Sequence, residues 1–282
     1  MASAGIILGS FLAWGCGFSW LKFGLLLGTA LMLQILSNLA NDYGDFVKGT
    51  DNKDRTGEKR MVASGAISPS AMLRAIIICA ILTFGLGTWL LLSIELTPGV
   101  LVFFFGIGIL SIIAAITYTV GKKAYGYSGF GDLAVFVFFG WVSVAGSNFL
   151  MRGSGYFDLL TFLPASAIGL LAAGVLNLNN LRDHINDKAS GKNTLVVKMG
   201  FEKAKRYHTF LLSTPFLLGF VFVAFYYHTP WQCAFLATGP VFFKLGKAVN
   251  ACNNPSELDG ELKKQALTTL LFAILFAAGN MM

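Results

Sequence analysis

The sequence predicts an all-α polytopic membrane protein of about nine transmembrane helices, forming a single domain over residues 1–282. Hydrophobic residues make up 55% of the chain and charged residues only 12%, whereas about a quarter of a soluble domain is charged. Mean hydropathy is +0.68. Apolar stretches of spanning length recur from one end to the other, and no polar block is long enough to fold by itself.

Taken in order, spans are expected near 3–19, 22–44, 68–92, 99–120, 131–150, 159–181, 207–227, 231–250 and 265–281. Ser93 to Pro98, Met151 to Asp158 and His228 to Pro230 read as short turns on one face. The longer connections carry the charge. With the spans alternating, all of the 21 Lys and Arg except Lys22 and Arg152 fall on the other face. This is the positive-inside bias of membrane loops. It accounts for the net charge of +7 without a nucleic-acid partner and turns the charged loops toward the cytoplasm. Cys16, Cys79, Cys233 and Cys252 lack C-x-x-C spacing and read as packing residues. The N-terminus has no basic region of the signal-peptide kind.

Two polar clusters interrupt this pattern, each at the end of an apolar run. The first is Asn38 to Arg60, NLANDYGDFVKGTDNKDRTGEKR; the second is Asn179 to Leu195, NNLRDHINDKASGKNTL. They share a scheme. Asn38 stands four residues before Asp42, with Asp45-x-x-x-Gly49 following; Asn179 stands four before Asp183, with Asp187-x-x-x-Gly191 following. Each closes an even-numbered helix, so both reach the same membrane face, as an internal duplication would produce.

Helical spacing puts Asp42 with Asp45, and Asp183 with Asp187, on one face of their helices. Two such pairs facing one another form a strongly negative pocket. Mg²⁺ suits it, because that ion takes a few carboxylates and shares its other positions with water and phosphate oxygens. Neighbouring Lys and Arg could take the remaining phosphate charge. A diphosphate substrate that also dissolves in the lipid bilayer is implied, and a polyprenyl diphosphate meets both demands. Charge on the leaving diphosphate would be stabilised by the cation and the basic groups, while the allylic carbocation needs dry, apolar walls. Intramembrane acids and repeats also mark cation-coupled transporters, a second reading that places its acids near mid-bilayer rather than at helix ends.

The strings Asn41-Asp42-x-x-Asp45-x-x-x-Gly49-x-Asp51 and Asn179-Asn180-x-Arg182-Asp183-x-x-x-Asp187-x-x-x-Gly191-Lys192-x-Thr194-Leu195 resemble the UbiA superfamily of intramembrane aromatic prenyltransferases. The similarity extends through Asp54 to Gly57, Arg60, Ser64-Gly65, Tyr118-Thr119-x-Gly121, Tyr125-Gly126-Tyr127 and Gly129-x-Gly131-Asp132. It implies nine helices around a cavity, with Asp42, Asp45, Asp183 and Asp187 as catalytic residues and Mg²⁺ ligands. Asn38, Asn41, Arg55, Arg60, Tyr118, Lys123 and Asn179 are implied to bind the diphosphate. Arg182 reads either as a diphosphate contact or as the ion-pair partner of an aspartate.

The branch that these motifs resemble most prenylates 1,4-dihydroxy-2-naphthoate with decarboxylation, giving demethylmenaquinone, diphosphate and CO₂. Other UbiA-type acceptors are 4-hydroxybenzoate, haem and chlorophyllide. The chain departs from the family pattern at Glu58 and Ala124, where proline is usual, and a basic Arg-Pro-x-Thr-Leu stretch expected ahead of the first helix is missing before Met1-Ala-Ser-Ala-Gly5.

Overall fold

Helix boundaries fall where caps occur in the sequence. Ser19 opens α2 (Trp20–Val47), its hydroxyl accepting the Lys22 N–H. Ser68 followed by Pro69 opens α3 (Pro69–Leu92), and Pro98 takes the first position of α4 (Pro98–Thr117), where a missing N–H costs nothing. A computed structural model describes residues 1–51, 60–153 and 157–282, which are helical with no strand among them. Ahead of α2 lies the short α1 (Ala2–Phe11). After α4 come α5 (Gly131–Arg152), whose middle is π-helical, and α6 (Phe162–Ala189). The short α7 (Leu195–Met199) and α8 (Phe201–Phe225) follow. A 3₁₀ segment, Pro230–Thr238, leads into α9 (Gly239–Ala251), and α10 (Asp259–Met281) closes the chain.

Seven of these stretches are long and apolar enough to cross a membrane: α2, α3, α4, α5, α6 and α8 with α10 and its leading turn. The first and eighth expected spans fall on less regular helices. α1 ends after 10 residues in turns where Gly15 and Gly17 take positive φ, and the eighth begins as 3₁₀ helix behind Pro230.

The helices gather in two groups. α2 packs on α3 and α4, while α6 is flanked by α5 and α8 and also meets α10; α1 joins the groups. Burial follows position. The apolar window of α6 is 56% buried, whereas that of α4, with the highest hydropathy of 2.7, is only 6% buried. α5 approaches α6 closely, since a Cβ on Gly140 would lie 2.6 Å from the Ala165 carbonyl oxygen, the small-residue contact favoured between membrane helices. Phe216, Phe235, Phe272 and Phe276 fill the space between α8, α10 and the 3₁₀ segment, with Phe235 and Phe276 centroids 4.9 Å apart.

α2 and α6 end identically. Gly49 and Gly191 both take φ of 72°. Thr50 N–H bonds the Asp45 carbonyl at 2.9 Å and Gly49 N–H that of Phe46 at 3.0 Å; Lys192 N–H bonds the Asp187 carbonyl at 2.8 Å and Gly191 N–H that of Lys188 at 3.2 Å. Both are Schellman terminations. The repeated Asp-x-x-x-Gly spacing therefore has a backbone cause: the glycine makes the left-handed turn and the aspartate sits three positions inside the helix end. An added Cβ would meet nothing within 4 Å at either glycine, so only the backbone penalty remains. Gly49→Ala and Gly191→Ala should each lower stability by about 1 kcal/mol, seen as a lower melting temperature of the detergent-solubilised protein.

Candidate active site

The last turns of α2 and α6 carry the aspartates into one region. All four are buried, at 7% exposure for Asp42, 5% for Asp45, 6% for Asp183 and 2% for Asp187. Their surroundings differ.

Asp45 and Asp187 face one another across Lys192, whose Nζ lies 3.7 Å from Asp45 Oδ2 and 3.8 Å from Asp187 Oδ1. The other oxygen of Asp45 accepts a 2.7 Å hydrogen bond from the Tyr127 hydroxyl. That hydroxyl is also 2.6 Å from Thr50 Oγ1, and Lys48 Nζ stands 3.9 Å from the ring centroid. The Tyr127 carbonyl accepts from Asn193 N–H at 3.1 Å, and Asn186 Nδ2 donates to the Thr50 carbonyl at 2.9 Å. These contacts knit the two motifs to the α4–α5 connection.

Asp42 and Asp183 are turned to other partners. Asp42 accepts the backbone N–H groups of Met61 at 2.9 Å and Val62 at 3.1 Å, and so anchors the turn that follows Arg60. Asp183 takes a bidentate pair from the Arg182 guanidinium, both bonds 2.8 Å. Arg182 also reaches Asp259 at 2.6 Å and Asn179 at 3.0 Å. Its structural reading thus has three partners on α6 and α10. As arranged, no group of three or more acidic, His or Cys side chains among the described residues stands ready to hold a metal.

Beside this polar plate lies a cavity of about 480 Å³ between α2, α3, α4, α5 and α6. Asn38, Asn41, Arg60, Tyr118 and Asn179 line it; these are five of the expected diphosphate-binding residues. The rest of its wall is mostly apolar, with Leu26, Leu33, Phe104, Phe138 and Leu150 among its members. Thr119 Oγ1 bonds the Ala40 carbonyl at 2.9 Å and is 3.2 Å from Asn41 Oδ1, which fixes the Asn41 amide at the rim. Arg60 stays near Asp51, Nε to Oδ2 3.9 Å. Lys123 is exposed and, like Arg182, is not part of the cavity wall. Arg55 and Asp54 lie outside the described residues.

Phenols cluster at the polar end. Tyr118 and Tyr125 both line the cavity and meet edge to face, centroids 5.3 Å apart. Burial, reinforced by Asp132, pushes the Tyr118 hydroxyl well above the usual phenol range, and burial pushes Tyr125 up to about 12. Burial and then Asp45 raise Tyr127. All three therefore remain hydrogen-bond donors at neutral pH. Burial lowers the Lys48 ammonium, and Lys192 adds to this, while Asp45 opposes it.

A family profile described as the UbiA prenyltransferase family matches residues 2–259. The chain belongs to the UbiA prenyltransferase family. It is 45% identical over 280 residues to the 1,4-dihydroxy-2-naphthoate octaprenyltransferase of Escherichia coli (strain K12), covering 99% of this chain and 90% of that one. It is 41% identical over 282 residues to the enzyme of the same description from Haemophilus influenzae, covering 99% and 91%. The fold is similar to the apo structure of a UbiA homolog from Aeropyrum pernix K1, with TM-score 0.72, 17% identity and coverage of 99% and 94%. A UbiA homolog from Archaeoglobus fulgidus, bound to DMAPP and Mg²⁺, matches with TM-score 0.66, 13% identity and coverage of 98% and 93%.

Within this UbiA fold, Tyr127, Thr50, Asn186 and Lys192 were given no role by sequence reasoning, although Tyr127 and Lys192 stand in the strings that carry the resemblance. One signal was present: Thr50 and Lys192 occupy the same place after the two glycines. Removing the Arg182 guanidinium would leave the Asp183 carboxylate buried without its bidentate partner. Arg182→Ala should therefore lower unfolding stability by about 3 kcal/mol, measurable by thermal melting without substrate; a purely diphosphate-gripping arginine would leave that melt unchanged.

Proposed function

We propose that this protein transfers a polyprenyl group from a polyprenyl diphosphate to 1,4-dihydroxy-2-naphthoate. The naphthoate carboxylate leaves as CO₂, giving demethylmenaquinone in its quinol form and diphosphate. The observation that carries this reading is one cavity with a polar end of Asn38, Asn41, Arg60, Tyr118 and Asn179 and a mostly apolar wall. Such a cavity holds one end of a molecule by hydrogen bonds and charge and the rest by apolar contact. The acceptor is supported by the 45% and 41% identical relatives, whose named substrate is this naphthoate.

In the reaction the allylic C–O bond breaks and its electron pair stays with the diphosphate oxygen. The ring forms the new C–C bond, and the pair of the breaking C–CO₂ bond returns to the ring. Arg60 and the amides of Asn38, Asn41 and Asn179 would hold the diphosphate end by charge-assisted hydrogen bonds. Tyr118, kept as a neutral phenol, would donate to the diphosphate, and the rings of Tyr118 and Tyr125 would offer aromatic faces to the developing cation; the Tyr125 hydroxyl is held by the Ala114 carbonyl at 2.8 Å. The apolar wall excludes water, which would otherwise trap the carbocation.

The donor set beside the cavity, four carboxylates that are not part of its wall with neighbouring Asn side chains, has the hard-oxygen chemistry that Mg²⁺ prefers. Asp45 and Asp187 already meet around a positive charge, so these two fit best as ligands; Asp42 and Asp183 would join them by exchanging their present partners. A bound Mg²⁺ would supply positive charge to the diphosphate as it leaves. The segregation of Lys and Arg supports a place in the bacterial cytoplasmic membrane with the site opening to the cytoplasm.

Purified protein given dihydroxynaphthoate and a polyprenyl diphosphate should release diphosphate and CO₂ and form a prenylated naphthoquinol detectable by mass spectrometry. EDTA should abolish turnover and Mg²⁺ restore it; undiminished turnover in EDTA would overturn the metal assignment. Asp45→Asn and Asp187→Asn should each reduce the rate at least about 100-fold, the scale of a lost charge-stabilising group. Near-normal rates in either variant would remove that residue from the site.

A further inference from the structure

Lys192 is a buried lysine, 9% exposed, and its position is set by the backbone rather than by chance contact. It is the residue after the left-handed Gly191, and its N–H closes the turn onto the Asp187 carbonyl. That geometry folds its side chain back over the helix end, where an apolar contact is usual; here the contact is ionic, Nζ to Asp187 Oδ1 3.8 Å. The same ammonium lies 3.7 Å from Asp45 Oδ2. It stands where one cation can touch both motifs at once.

We propose that Lys192 is a tethered counter-ion: with no divalent cation bound it holds Asp45 and Asp187 together, and metal binding proceeds by displacing it. The inference rests on the assignment of a metal to these two carboxylates. Both contacts are about an ångström longer than the 2.7–2.9 Å of a tight charged hydrogen bond, so the ammonium is placed by the field of two carboxylates and is not locked to either. A lysine stem is flexible and its head is readily hydrated, so it can withdraw without unfolding its turn. Tyr127 remains. Its hydroxyl grips Asp45 Oδ1 and leaves Oδ2, the oxygen that faces Lys192, oriented for an incoming ion. Lys192 acts through these carboxylates and is thus a positioning residue.

A merely structural lysine and a competing cation differ in what they do to metal affinity. Mn²⁺ binding to the full chain in detergent, without any diphosphate, is measured by electron paramagnetic resonance for wild type, Lys192→Met, Lys192→Arg, Asp45→Asn and Asp187→Asn. Removing the competing charge should tighten Mn²⁺ binding about tenfold or more in Lys192→Met. A planar guanidinium grips carboxylates bidentately, so Lys192→Arg should bind Mn²⁺ more weakly than wild type. In EDTA, Lys192→Met should melt below wild type, and saturating Mn²⁺ should close that gap. Unchanged or weaker Mn²⁺ binding in Lys192→Met, with binding lost in the Asp variants, overturns the proposal and leaves the metal reading standing. Mn²⁺ binding unaffected by Asp45→Asn and Asp187→Asn overturns the metal reading itself.

Discussion

Two carboxylates from different helices cannot be buried side by side without positive charge between them, and the polar end of this bundle is organised by that constraint. Asp45 and Asp187 are almost fully buried, where mutual repulsion is screened far less than in water. An uncompensated buried pair of like charge would either take up a proton or force the helices apart. Lys192 supplies the compensation in the structure, and the turns after Gly49 and Gly191 bring the partners to the spot. α2 and α6 belong to different helix groups, so their alignment at this end fixes how the groups close around the cavity.

The remaining contacts support this pairing. Tyr127 ties Asp45 to the α4–α5 connection and lies beneath Lys48, and the Asn186 amide ties the α2 turn to α6. Three connections distant in sequence thus converge on the two carboxylates. The arrangement is polar on the side of the loops and apolar on the side of the bundle, which lets a charged head and a hydrocarbon tail lie in one continuous space.

Much of this was legible in the sequence. Hydropathy gave the long spans because the periodic polar positions of a soluble helix are missing, and the two Asp-x-x-x-Gly strings gave their shared face; the helices run past the expected ends at 44 and 181 to Val47 and Ala189, because hydropathy falls at the polar motifs while the helical hydrogen bonds continue through them. Caps such as Ser68-Pro69 marked helix starts. The partners of individual side chains were not legible. Asp42 and Asp183 hold matching places in the two copies, each four residues after an Asn, yet one binds backbone N–H groups beyond Arg60 and the other binds its own neighbour Arg182. Those choices depend on how a loop closes and on Asp259, which is supplied by a helix far along the chain. Tyr127 was likewise invisible as a site residue, because only the docking of the α4–α5 connection brings its hydroxyl to Asp45. The first and eighth spans were blurred for another reason: their apolar composition persists through Gly15, Gly17 and the 3₁₀ segment, so hydropathy runs on where the regular helix does not.

The duplicated motifs also show why the site is asymmetric. The position after the left-handed glycine folds back over the aspartate three places inside each helix end. In the α6 copy it is Lys192 and meets Asp187 directly; in the α2 copy it is Thr50 and reaches Asp45 through the Tyr127 hydroxyl. Two lysines here would bring a second ammonium to the same two carboxylates and raise the barrier to any incoming cation. Two neutral residues would leave the carboxylates without a charge between them. One lysine and one threonine divide the tasks: the α6 copy supplies a movable charge, and the α2 copy supplies a hydrogen bond that holds its carboxylate in place while that charge moves. The difference between the copies is therefore the part of the repeat that gives the paired aspartates a working order.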